Sequence, residues 1–184
     1  MKENVKRSLR ITGKIFLICI AIFILAIGAS SLLGGNSQNL FLYNPFISGF
    51  LHVSMDHLFY NMIGVFLFTL PAINSHYTLR NIFWITFFIS LAYLPVPVMG
   101  IAFPAIGISG TCMFLIARYF LTWERFKILG ILLITGLVLA EASSIFEDDG
   151  VSHAVHILGA IFGYLSIKSK KISNILSQDS TLVR

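Results

Sequence analysis

Pro104-Ala105-Ile106-Gly107-Ile108-Ser109-Gly110-Thr111 stands at the mouth of a long apolar segment and sets a serine among glycines at its edge. Gly107 and Gly110 leave the backbone around Ser109 uncovered, so another helix or a substrate can approach closely. A helix starting after Pro104 would add unpaired backbone N–H groups beside the hydroxyl. That combination suits a nucleophile with an oxyanion hole attached. The plainer reading is a serine that packs helices together between two small residues. The stretches around it decide between the two.

The chain has 184 residues, 57% of them hydrophobic and only 11% charged, with mean hydropathy +0.86. Soluble domains are about a quarter charged, so the composition indicates an integral, multi-pass membrane protein without a separate soluble domain. A membrane-crossing helix needs about 20 mainly apolar residues. Six apolar segments meet or approach that length, roughly at 13–34, 50–72, 80–99, 104–122, 127–146 and 152–167. The first is read as a retained span, since no small-residue cleavage site and soluble mature chain follow it.

Charge sets the orientation. The 13 Lys and Arg residues fall in the N-terminal tail, at Arg80, around Arg118, Arg125 and Lys127, and in the C-terminal tail. Counting spans, these places share one side, while loops 35–49, 100–103 and 147–151 carry no Lys or Arg. The positive-inside rule then puts both termini in the cytoplasm. The basic residues thus read as topology signals, and a nucleic-acid partner is not expected. Cys19 and Cys112 lie within apolar segments and read as core residues without a disulfide.

In chain order, residues 1–12 read as a mobile basic tail, 13–167 as the six-span core and 168–184 as a second basic tail. An uncharged outer loop with Phe41, Tyr43 and Phe46 suits the membrane interface. The second span opens with His52, Asp56, His57 and Asn61. His57 and Asn61 are four apart and share a face; His52 falls off it, near the loop, and Asp56 is a solvated acid at the helix end. The third span is scaffolding, polar only at its edges and closed by Pro95-Val96-Pro97. The fourth span should begin near Pro104, which leaves Ser109 only about one to two turns from the outer surface. Glu141 in the fifth, near Glu147, Asp148 and Asp149, reads as an acid reaching interfacial water, and no carboxylate is expected beside His156. In the sixth span His156, Gly159 and Gly163 form one stripe, with His153 on much the same side. The glycine pair admits a neighbouring helix to backbone contact.

Spans two, four and six all run from outside to inside and carry their polar residues in the outer half. Topology alone therefore gives Asn61, Ser109 and His156 a shared depth. Separate structural explanations for each would not require that alignment.

With His57-xxx-Asn61-Met62, Gly107-Ile108-Ser109-Gly110 and His156-xx-Gly159-xxx-Gly163 in this order, the chain resembles the rhomboid intramembrane serine proteases over about residues 13–167. The resemblance implies an all-α bundle of six transmembrane helices with a Ser109–His156 catalytic dyad. It also implies an oxyanion hole from His57, Asn61 and the Ser109 N–H, shaped by Gly107. No cofactor or metal is implied; the partners are the lipid bilayer and a membrane-anchored protein substrate. The site would face the outer side of the plasma membrane. Two features depart from the family pattern. The first outer loop lacks a Trp-Arg pair, with Tyr43-Asn44 about where it would stand, and Met113 replaces the aromatic residue four positions after the serine. Met113 can still touch the His156 ring through its sulfur. His153, Met113 and His52 are cavity-lining candidates.

Two other readings compete. His52, Asp56, His57, His153 and His156 offer ligands to a metal-dependent membrane enzyme or transporter. That reading leaves the glycine-flanked Ser109 unexplained and lacks a His-Glu-xx-His motif. The other keeps the fold without catalysis, as a substrate-binding protein; the presence of both Ser109 and His156 argues against it.

Overall fold

The computed structural model describes residues 2–33, 44–52, 54–71, 74–95, 107–122, 124–145 and 152–168. Among the described residues the chain is all-helical: α1 (Lys2–Leu33), a 3-10 turn (Ser48–Phe50), α2 (Met55–Thr69), α3 (Leu79–Tyr93), α4 (Ser109–Leu121), α5 (Lys127–Ser143) and α6 (His153–Lys168). Phe41, Tyr43, Pro104, Val96-Pro97, Glu147-Asp148-Asp149 and residues 169–184 lie outside the described residues.

Helix starts follow local capping. The Ser54 side chain accepts the His57 backbone N–H at 3.1 Å, so α2 begins at Met55 and not at Phe50. Residues before the cap take the 3-10 turn, where a side chain on Gly49 would overlap Thr86 of α3. Thr78 and Asn81 form a reciprocal capping box at the start of α3. Asp56 is exposed in the first turn of α2, as an acid at a positive helix end should be.

Residues 1–12, read as a mobile tail, are helical from Lys2 onward. Arg7 explains the order: it donates to the Thr69 carbonyl at 2.7 Å and the Tyr77 carbonyl at 2.8 Å. It thereby caps the negative end of α2. The Ser8 and Thr69 hydroxyls meet at 2.9 Å beside it. Both contacts tie α1 to the far end of α2, so the helix is fixed well before its apolar portion begins.

Among the described residues only α1, over Lys2–Ala26, is both long and apolar enough to cross a membrane, and α3 and α4 are shorter apolar helices. The main core joins Ile15 and Cys19 of α1, Leu58 and Val65 of α2, Ile82 and Ile89 of α3, Leu115 of α4 and Val155 of α6. Thr86 and Ser90, in the body of α3, are also buried, so that helix is not polar only at its edges. The Thr86 and Thr111 hydroxyls meet at 2.8 Å and fix α3 to the first turn of α4. A smaller cluster of Met113, Ala117, Ile134 and Ala160 seats α5. That helix buries only Gly130 and Ile134 and turns Ile128, Leu132 and Leu139 outward.

At the opposite end of α4 from Ser109, buried Arg118 donates to Ser166 Oγ at 2.6 Å and Asn74 Oδ1 at 3.3 Å. Its guanidinium lies over the Tyr77 ring, 5.3 Å from the centroid. Burial pushes the Tyr77 phenol up to about 12, so it stays neutral beneath the cation. No carboxylate joins this network among the described residues, and neutral oxygens and a ring face satisfy the arginine instead.

Helices α4 and α6 approach to backbone contact. A Cβ on Gly159 would overlap the Gly110 carbonyl oxygen, and one on Gly163 would lie 2.6 Å from the Phe114 carbonyl oxygen. Replacing Gly159→Ala should therefore destabilise the fold by about 1–3 kcal/mol, the usual cost of overpacking. Gly136→Ala is the control: nothing lies within 4 Å of its added carbon. There the better helix propensity should leave stability unchanged or raised by up to about 1 kcal/mol. Thermal unfolding of both variants in detergent checks the contrast.

Candidate active site

Ser109 is the first residue of α4 and is half-buried. The helix thus starts at the serine itself and not near Pro104. The first bonds of this helix run from the Thr111 and Cys112 amides to the Ile108 carbonyl, at 2.9 and 3.1 Å. The amides of Ser109 and Gly110 therefore come before the intrahelical ladder and point beyond the helix end. Gly107 explains the late start: its φ of 96° is left-handed, a conformation glycine adopts without strain and one that breaks a helix. Its own amide is used, donating to the Ser48 carbonyl at 3.1 Å. Gly107 thus supplies shape and not a hydrogen-bond donor.

What Gly107 leaves open is specific. An added Cβ would stand 3.0 Å from His57 Cε1 and 3.2 Å from Asn61 Nδ2. The two α2 side chains therefore flank the backbone just before Ser109, as their spacing of one helical turn allows. His57 Nδ1 is buried without a partner among the described residues. Leaving such a group unpaired costs about 1–3 kcal/mol, a cost met at sites where water or a ligand completes the set.

His52 has a role that its position in the sequence did not show. Although it precedes α2, it folds back and is buried, with Nδ1 3.1 Å from the Phe50 carbonyl and Nε2 3.0 Å from Asn61 Nδ2. A carbonyl can only accept, so Nδ1 carries the proton and Nε2 accepts from the Asn61 amide. This fixes which end of the Asn61 side chain is its NH2 group and leaves the second N–H without an acceptor among the described residues. The signal was the pair of histidines ahead of Asn61, but only the 3-10 turn brings the first of them back.

On α6, His156 places Nδ1 2.9 Å from Glu141 Oε2, and His153 places its own Nδ1 2.7 Å from the same oxygen. The expectation that no carboxylate stands beside His156, and that Glu141 serves only interfacial water, is thus corrected. α5 is apolar all round, so no polar stripe in its sequence reveals which face Glu141 occupies. Packing of α5 against α6 supplies that face. All three side chains are partly buried, 11–17% exposed.

The two sides of the site approach one another. His57 on α2 lies within electrostatic reach of His156 on α6. Ser109 immediately precedes Gly110, whose carbonyl meets Gly159, three residues after His156. Among the described residues no hydrogen bond joins Ser109 Oγ to His156. Glu141 occupies Nδ1 of the imidazole, and Nε2 is the nitrogen left for another partner. Met113 packs one turn further along α4, in the cluster with Ala117, Ile134 and Ala160. Of the residues named as metal ligands, His52 uses both ring nitrogens in hydrogen bonds and Asp56 is exposed. The group that does converge is Glu141, His153 and His156, with ligand atoms within 4.8 Å of one another.

A family model described as the rhomboid domain matches residues 39–169. The chain belongs to the rhomboid family. Its members are integral membrane proteins and, in general, intramembrane serine proteases that act on membrane-protein substrates in the bilayer. Comparison with curated proteins and with solved structures finds no match to either. The matched segment spans every residue of the site, from His52 to His156, and omits all of α1.

The role of His52 in this rhomboid chain is open to direct measurement. Substituting His52→Ala leaves a buried Asn61 amide hydrogen without its acceptor, and should lower stability by about 1–3 kcal/mol. Thermal unfolding in detergent should report the loss, and a variant that unfolds with the wild type would contradict the assignment.

Proposed function

We propose that this rhomboid protein is a serine endopeptidase that cleaves transmembrane proteins by a Ser109–His156 dyad. The observation that carries the reading is the backbone contact between α4 and α6. Gly159 and Gly110 touch, and each lies within a turn of one member of the pair. Helices held this closely bring a hydroxyl on one and an imidazole on the other to the same level.

In this mechanism Ser109 Oγ attacks the scissile carbonyl while His156 Nε2 takes its proton. The tetrahedral intermediate carries negative charge on the former carbonyl oxygen. The Ser109 amide, the free Asn61 N–H and the His57 ring are the donors proposed to receive it. The His156 proton then passes to the leaving amine, and water repeats the cycle on the acyl-enzyme. Hydrolysis needs water, so a site at the outer end of α4 suits the chemistry better than one at mid-membrane. With basic residues confined to one side of the bundle, that end faces outward across the plasma membrane and both termini lie in the cytoplasm.

The metal-dependent alternative and a non-catalytic substrate-binding role predict different results in one assay. Purified protein in detergent is given a transmembrane reporter, with Ser109→Ala and His156→Ala alongside. Both variants should lose at least about 10³-fold in kcat, and chelators should leave the wild type unaffected. Asn61→Ala should lose about 10²–10³-fold. Chelator-sensitive cleavage that survives Ser109→Ala would select the metal reading. A folded wild type inert towards a broad reporter panel would select the binding role.

A further inference from the structure

The Glu141 carboxylate stands apart from the residues assigned to catalysis above, yet it contacts two histidines, one of them His156, at 2.7 and 2.9 Å. We propose that Glu141 is a positioning residue for His156: it fixes the imidazole tautomer and holds Nε2 towards Ser109, extending the dyad to a Ser–His–Glu triad across three helices. The inference rests on the dyad reading of the same site.

Three observations support it. First, the partner of His156 is its Nδ1, at 2.9 Å from Glu141 Oε2. An ionised carboxylate only accepts, so Nδ1 must carry the proton and Nε2 is left with its lone pair. That is the tautomer a general base needs. Second, the contact crosses from α5 to α6, and both side chains are at least four-fifths buried. Such a charge-assisted bond between helices restricts ring rotation, which α6 alone would not do. Third, His153 donates to the same oxygen at 2.7 Å. This second bond holds the carboxylate in place and helps satisfy a charge inside a largely apolar bundle.

Atoms and charge balance without a further reactant. The Ser109 proton moves to His156 Nε2 as the Oγ–carbon bond forms, giving an imidazolium with both nitrogens protonated. Glu141 stays ionised and stabilises that cation; it takes no proton. Nε2 then gives its proton to the leaving amine, and the ring returns to its starting tautomer.

The same three side chains could be taken for a metal site, but the geometry favours a hydrogen-bonded cluster. Ligands about 2.0–2.1 Å from a tetrahedral zinc lie roughly 3.3 Å apart. Both ring nitrogens stand closer than that to a single oxygen, 2.7 and 2.9 Å, the distance at which a shared proton fits. The location adds a consequence: Glu141 sits on the least buried of the helices around the site, so the orientation of the base depends on α5 being seated against α6.

The test compares Glu141→Gln and Glu141→Asp with wild type in the reporter assay, measuring kcat and KM separately. An amide at this position can donate to Nδ1 and would then favour the wrong tautomer. In a fully buried serine-protease triad that error costs about 10⁴ in kcat. Glu141 is partly exposed and shared with a second ring, so the expected loss for Glu141→Gln is on the order of 10²-fold. KM should stay within about twofold, and Glu141→Asp should recover part of the loss. Labelling of Ser109 by a fluorophosphonate probe should slow in parallel with kcat. If Glu141→Gln fails to fold, nitrogen NMR of histidine-labelled wild type still decides: a neutral His156 protonated at Nε2 would overturn the proposal. So would wild-type kcat in a folded Glu141→Gln protein, or inactivation of the wild type by a chelator. Failure of the dyad itself reads differently, as cleavage that persists in Ser109→Ala. Loss of activity in Ser109→Ala and His156→Ala with full activity in Glu141→Gln would remove only the role given to Glu141.

Discussion

The contact between the Gly110 carbonyl and the bare face of Gly159 is the constraint on which the site depends. Two helices approach at backbone distance only where at least one lacks a side chain at the crossing; both do at Gly110 and Gly159, and one turn on the bare face of Gly163 meets the Phe114 carbonyl. A crossing this close leaves little freedom in the level of one helix against the other. Ser109 and His156 inherit their relative height from it. The α3 residues Thr86 and Ile89 press on the same turn of α4 from another side, so the start of that helix is held from two directions.

Around this fixed crossing the polar groups form two clusters. One runs from the Phe50 carbonyl through His52 to Asn61 and sets the direction of an amide. The other runs from His153 through Glu141 to His156 and sets the direction of a ring. Each spends polar groups that would be costly in an apolar bundle, and Asn61 of the first cluster stands beside Gly107. Arg118 at the far end of α4 shows the contrasting case. Its donors reach Asn74 and Ser166 and its face covers Tyr77, so the network is closed and structural.

How much could be read beforehand follows from which forces act locally. The spacing of His57 and Asn61 and the stripe His156, Gly159 and Gly163 follow from helical periodicity, so their faces were legible. The glycines flanking Ser109 announced a close approach, because a missing Cβ is visible in the sequence. The start of α4 was misplaced because the left-handed φ of Gly107 is a choice a glycine permits and does not require. Residues 1–12 were misread because a basic, uncapped segment is ordered only by what it docks against, here the end of α2. Glu141 and His52 were undervalued for a related reason: their partners lie across a turn or on another helix, where no period reports them.

The sequence by itself determined the helical class, the order of the polar motifs and the helix face on which His57, Asn61, His156 and Gly159 belong, and its motifs carried the family resemblance. Class and face rest on composition and on period and the resemblance on short motifs, and all of these are properties of short stretches. Tertiary structure alone decided that His52 turns back to orient Asn61, that Glu141 faces His156, and that α4 begins at the serine itself. Each of those depends on distances between segments far apart in the chain, and such distances are set by packing of whole helices, which no local pattern encodes.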